Sequence, residues 1–138
     1  MIVSDEIIIK TKGEVEIVDL TGKVSSVVDK AKLKNGIVVL FVPGSTGALT
    51  TLEYEPGLIK DVPLALERLF PKNLEYKHHE TWHDYNGHSH VRASFIGPSL
   101  TVPVKKGKLT LGTWQQIVFI ELDVRPRERR IEVQIVGE

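Results

Sequence analysis

The stretch IVVLFVPGSTGALTTLEY, residues 37–54, decides the fold. Its first six residues form an unbroken β-branched and aromatic run, long enough for a strand buried on both faces and too short for a core helix. Pro43 and the small residues Gly44-Ser45-Thr46-Gly47 interrupt it, and from Ala48 to Tyr54 apolar and polar residues alternate again. The reading is a central strand, a tight loop and a second strand in direct succession.

Working outward, residues 5–10 and 14–20 carry the same short apolar pattern on either side of Lys12 and Gly13, which reads as a hairpin or a pair of neighbouring strands. After Thr21 the period changes. Val24, Val27, Val28 and Ala31 fall on one helical face, with Thr21 placed to cap the start and Gly36 where a left-handed stop is expected. Downstream of Glu55-Pro56-Gly57, Asp61 precedes Val62, Pro63, Ala65, Leu66, Leu69 and Phe70, a second helix capped by Asp61 and stopped by Pro71. Residues 74–80, 90–96, 100–104, 109–111, 117–123 and 130–136 read as strands, with Lys105-Lys106-Gly107-Lys108 as the clearest hairpin turn. The expected fold is α+β: a largely antiparallel β-sheet or sandwich of roughly ten short strands with two helices in the N-terminal half. Residues 1–138 read as a single domain without repeat or linker.

Composition limits the chemistry. Lys plus Arg equals Asp plus Glu at 18 each, so no broad field is available to collect nucleic acid or anionic lipid, and neither is an expected partner. A net charge of zero mildly favours an oligomer. The absence of cysteine excludes disulfides, thiolate metal sites and thiol nucleophiles, leaving histidine, carboxylate and hydroxyl groups. No apolar run reaches membrane-spanning length and the first ten residues lack a secretory pattern, which places the expected location in the cytoplasm.

All five histidines, His78, His79, His83, His88 and His90, lie within residues 78–90. In an extended segment His88 and His90 project to one face and can chelate a cation or flank a substrate, whereas His78 and His79 face opposite ways. The plainer reading makes most of them hydrogen-bonding loop groups around the turn signal Asp84-Tyr85-Asn86-Gly87. The Gly44 to Gly47 loop offers backbone amides and two hydroxyls to an anion, yet lacks the lysine and spacing of a P-loop; a tight strand connection is its plainer reading. Asp61 and Glu121 are the carboxylates to pair with the histidines. Arg125, Arg127, Arg129 and Arg130 read as a solvated turn, with an oligomer contact or phosphate clamp as the sharper alternative.

Four stretches carry a family resemblance: Tyr76-Lys77-His78; Asn86 to His90 with Val91-Arg92-Ala93-Ser94; Gly97-Pro98-Ser99-Leu100-Thr101-Val102-Pro103-Val104; and Gly107-Lys108-Leu109-Thr110-Leu111-Gly112-Thr113-Trp114-Gln115. Over nearly its whole length the chain resembles the YjbQ-like family, often labelled secondary thiamine-phosphate synthase. The resemblance implies a homotrimer whose pocket gathers histidines and acidic residues, sometimes around a metal ion. It also implies weak formation of thiamine phosphate from a pyrimidine diphosphate and a thiazole phosphate. Carried over, His78, His90 and Asp61 are the expected catalytic residues. Ser45, Thr46 and Gln115 are expected to bind the phosphorylated heterocyclic substrate, and His78, His88 and His90 to hold a divalent metal ion, magnesium or zinc. Where many members have His-Thr-Thr-Ala this chain has Gly44-Ser45-Thr46-Gly47, so either His88 substitutes for the missing histidine or the standard activity is absent. The competing expectations are a non-catalytic module binding a metal or small anion, and a metal-dependent hydrolase.

Overall fold

A computed structural model describes residues 1–138 as eight strands and four helices. The strands are β1 (Ile2–Thr11), β2 (Glu16–Asp19), β3 (Gly36–Phe41), β4 (Gly47–Leu52), β5 (Ser99–Lys105), β6 (Lys108–Leu109), β7 (Gln116–Glu121) and β8 (Arg127–Gly137). The helices are α1 (Thr21–Ala31), α2 (Pro56–Leu69), α3 (Lys77–Trp82) and α4 (Gly87–Ile96). One sheet runs β1-β8-β3-β5-β6 and the other β2-β7-β4, with every pairing antiparallel. The α+β class and the antiparallel sheets agree with the sequence reading.

The layers follow from which faces are apolar. Val38 and Leu40 of β3, with Ile131, Val133 and Ile135 of β8, point inward and meet Ile117 and Phe119 of β7, Leu49 of β4 and the Val24, Val27 and Val28 face of α1. The opposite side of β7 carries Val118 and Ile120, which pack with Ile17, Ala48, Leu66 of α2 and Ala93 of α4. So β7, not β3, is the strand buried on both faces. In β3 the alternate side chains Ile37 and Phe41 are exposed on the outer face of the five-stranded sheet. An unbroken apolar run does not show whether a second layer covers it.

Three local expectations are corrected. Asp19, rather than Thr21, takes the free amide at the start of α1, and the Thr21 hydroxyl instead accepts from the amide of Ile117. Lys32 supplies the left-handed residue after α1, while Gly36 opens β3 against Gly137, where a side chain would run into backbone. In α2 the cap is Glu55, whose carboxylate accepts from Gly57 and Leu58; Asp61 is exposed a turn further on.

The largest correction concerns residues 74–80 and 90–96, read as strands but folded around and into α3 and α4. The buried face of α4 is formed by His88, Ser89, Arg92 and Ala93. Its periodicity is helical, yet it is written in polar residues, so a search for apolar spacing passes over it. Two of these have distant partners: Arg92 donates to the Phe70 carbonyl and to Glu67, and His88 meets Glu14, whereas the Ser89 hydroxyl is buried without one. No helix is long and apolar enough to cross a membrane.

Candidate functional site

The loop between β3 and β4, the start of α4 and the turn between β7 and β8 meet at one end of the molecule. Between the loop and α4 lies a cavity of about 500 Å³ lined by Gly44, Ser45, Gly47, His90, Ser94 and Pro98, among others. A smaller cavity of about 250 Å³ shares Gly44, Ser45 and His90 and adds Asp84, Asn86, Asp123, Arg125 and Arg127. The two are neighbours on either side of Gly44, Ser45 and His90, and together they make up the cleft.

His90 of α4 lines both cavities, and the ring of His78 from α3 packs against it with centroids 4.3 Å apart. Burial pushes the His90 imidazole below its ordinary value; the neighbouring His78 adds to the shift, and Asp123 and Asp84 oppose it. His90 is therefore a neutral imidazole at pH 7. The Nε2 atom of His78 lies 3.4 Å from Asp84 Oδ1. The Asn86 amide sits between His78, Asp84 and Asp123, and with its nitrogen toward α3 it donates to His78 Nε2 at 3.0 Å and Asp84 Oδ1 at 2.9 Å. That orientation satisfies an imidazole lone pair and a carboxylate at once.

Asp123 anchors the other wall. Burial alone raises its pKa, but donors from Val124, Arg127 and Thr46 oppose this and the carboxyl lies below its ordinary value. Beneath it runs a second buried pair. Arg129 donates through Nε and Nη2 to both Glu121 oxygens, and Glu121 also accepts from Thr11 and from the Asp123 amide. The Thr46 hydroxyl donates to Asp123 and accepts from Arg129, so it ties the loop to this network and is not free for a ligand. Ser45 is exposed and makes no side-chain bond.

The structure brings together His78, His90 and Ser45 from the expected set. It does not bring in His88. In a helix two residues are separated by about 200° around the axis, so residues that share a strand face become opposed. His88 is fully buried and its Nε2 donates to Glu14 Oε2 at 2.6 Å. No three histidine or acidic side chains converge on one point, so the residues do not fit the expected three-histidine metal site. Asp61 is exposed on α2, Glu121 is committed to Arg129, and Gln115 closes its own turn through Gly112 and reaches Thr51. The arginine run is divided: Arg125 and Arg127 line the cleft and Arg129 is buried on the same strand face as Arg127, while alternation puts Arg130 on the outer face, paired with Glu6.

Sequence reasoning missed Asp84, Asn86, Asp123 and Glu14. Asp84 and Asn86 were legible only as turn residues. Asp123 follows the apolar strand and precedes Arg127 by four residues, which is the one local signal of a paired carboxylate at the sheet end.

The pKa directions predict an acid-sensitive fold. A lowered His90 means that the unfolded chain takes up a proton first, so stability begins to fall as pH drops below 6.5, the ordinary histidine value. Glu14 and Asp123 are also lowered, despite burial, so their contributions are present above 4.5 and 3.8 and are lost as pH falls below those values. Thermal melts between pH 8 and pH 3 should show a shallow decline and then a steeper one. A melting temperature that stays flat from pH 7 to pH 4 contradicts this.

Comparison with known proteins adds a family. The model of the UPF0047 protein YjbQ-like family matches residues 5–138. A UPF0047 protein of Methanothermobacter thermautotrophicus is 41% identical over 98% of this chain and 92% of its own length. The UPF0047 protein YugU of Bacillus subtilis is 31% identical over 94% and 96%. Among solved structures, a YbjQ-like protein of unknown function from Sulfolobus solfataricus shares 38% identity with a TM-score of 0.94, covering 100% of this chain and 99% of that one.

Proposed function

This chain belongs to the YjbQ-like UPF0047 family, and we propose that its cleft binds the diphosphate of a small phosphorylated heterocycle and assists its departure in a reaction of the thiamine-phosphate synthase type. One observation carries this reading: Arg125, Arg127, the free Ser45 hydroxyl and His90 line the same cleft. Cations and hydroxyls suit a diphosphate, and an imidazole beside them suits the oxygen on which negative charge develops. In the reaction the thiazole nitrogen attacks the pyrimidine methylene carbon. A C–N bond forms, the C–O bond to diphosphate breaks, and diphosphate carries away the electron pair.

His90 is proposed as the group nearest the leaving oxygen, with His78 and Asn86 orienting it. Arg125 and Arg127 are proposed to hold the diphosphate. A divalent cation, if used, is proposed to arrive with the substrate phosphates rather than on three protein ligands. The test supplies both precursors and magnesium to the purified protein and measures thiamine phosphate. Formation above a protein-free blank supports the reading. Diphosphate binding without product favours the non-catalytic binding module instead, for which Gly44 in place of the family histidine is the supporting observation.

A homotrimer is proposed alongside it. Ile8, Ile37, Phe41 and Val136 are all exposed on the outer face of the five-stranded sheet, apolar surface of the kind that self-association covers. Light scattering is expected to give three times the chain mass of 15.5 kDa, and a mass equal to one chain contradicts it.

A further inference from the structure

We propose that Arg129, under the Gly44 to Gly47 loop, is an anion-binding residue whose Nη1 donates to a phosphoryl oxygen held in the cleft. The inference rests on the reading that the cleft takes a diphosphate and names a ligand to it that lies below the surface.

The guanidinium has five N–H donors in a fixed plane. Nε and Nη2 are spent on the two Glu121 oxygens and on Thr46 Oγ1, at 2.8 Å for Nε and 2.9 Å for the threonine. Nη1 has no acceptor anywhere in the chain, although the side chain is only 3% exposed. Nη1 is not sealed off by the surrounding protein, so its unpaired donors are open to water or a ligand. The direction in which Nη1 points is marked by two glycines that line the cleft. A Cβ on Gly44 would stand 3.4 Å from Nη1, and one on Gly47 would stand 3.5 Å from the guanidinium carbon. With hydrogen at both positions, neither glycine puts a side chain between this end of the arginine and the cleft. Gly44 also has φ of +117°, a conformation that side-chain-bearing residues rarely adopt, so the loop is shaped around a residue with no Cβ.

The neighbours explain why a buried arginine suits this task. Glu121 neutralises the charge and fixes the plane, so the donors are already oriented before a ligand arrives. At the rim stand Arg127, which is paired with Asp123, and Arg125, with Asp84 in the same lining. A phosphoryl oxygen between them then meets donors from above and below.

The experiment titrates the full-length protein with inorganic diphosphate and follows the guanidinium N–H resonances by NMR, with acetate at matched ionic strength as the comparison. Arg129→Lys, which keeps a cation for Glu121 but has no Nη1, is titrated in parallel after its fold is checked by circular dichroism. The expected result is a shift of the Arg129 Nη1 protons with diphosphate but not acetate, and a Kd weakened about ten- to hundred-fold in Arg129→Lys, the loss of one charge-assisted hydrogen bond. If Arg127 shifts while Arg129 Nη1 does not, or if Arg129→Lys binds as tightly as the native chain, the ion sits at the rim and this inference fails while the proposed function stands. An equal shift with acetate overturns selectivity for a phosphoryl group. No binding by any arginine overturns both. Should Arg129→Lys not fold, the native-protein resonances decide alone.

Discussion

Glu121→Ala is expected to lower the free energy of unfolding by about 3–5 kcal/mol, because it leaves the Arg129 cation buried without its counter-charge. Both partners are almost inaccessible, at 3% and 0% side-chain exposure, so water cannot take over the lost interactions. The Thr11 hydroxyl and the Asp123 amide lose an acceptor at the same time. Denaturant unfolding monitored by circular dichroism measures the effect, and a loss below about 1 kcal/mol, the worth of an ordinary exposed pair, contradicts it. The double variant Glu121→Leu/Arg129→Met is expected to recover much of the stability, since a buried pair replaced by apolar groups of similar volume is often close to neutral. By the argument above it should not recover diphosphate affinity. The network then reads as a device that holds a loop and a donor in place rather than as a source of stability.

His90→Ala is expected to reduce turnover by about 10²- to 10⁴-fold, the usual contribution of a positioned acid or base, with little change in melting temperature. Burial and His78 keep the free imidazole neutral, and a bound diphosphate would reverse the balance by adding negative charge beside it. The protonated ring can then donate to the departing oxygen. His88→Ala is expected to behave in the opposite way, because His88 is fully buried, lies away from the cleft and holds Glu14, which also pairs with Lys72. It should cost stability and leave any effect on turnover attributable to unfolding. Turnover of folded His90→Ala equal to that of the native chain removes His90 from the chemistry, whatever the substrate proves to be.

The contrast between these two histidines measures how much of the site was legible. Spacing identified residues 78–90 as the region where histidines gather, and two of them do face one another. Spacing also made His88 and His90 neighbours on one strand face, and a helix separates them. The helix was hidden because its buried face is His88, Ser89 and Arg92. His88 and Arg92 are held there by Glu14, the Phe70 carbonyl and Glu67, and those partners lie 74, 22 and 25 residues away in the chain. Asp123 and Arg129 were obscure for a related reason, since what ties each to the β3–β4 loop is Thr46, 77 and 83 residues away.

By itself the sequence determined the strand, loop and strand of residues 37–54, the valine stripe of α1, the hairpin near Gly107, the α+β class and the family resemblance. Each of these depends on near neighbours in the chain, through period, turn chemistry or contiguous motif. Only the tertiary structure decided which strand is covered on both faces, that α4 is a helix, that the arginine run divides between cleft, core and outer face, and that His78, Asn86, His90, Asp123 and the Gly44 loop form one site. Those outcomes depend on hydrogen bonds and charge pairs between residues far apart in sequence, and the stability of a buried polar group depends on its partner rather than on its position in a local pattern.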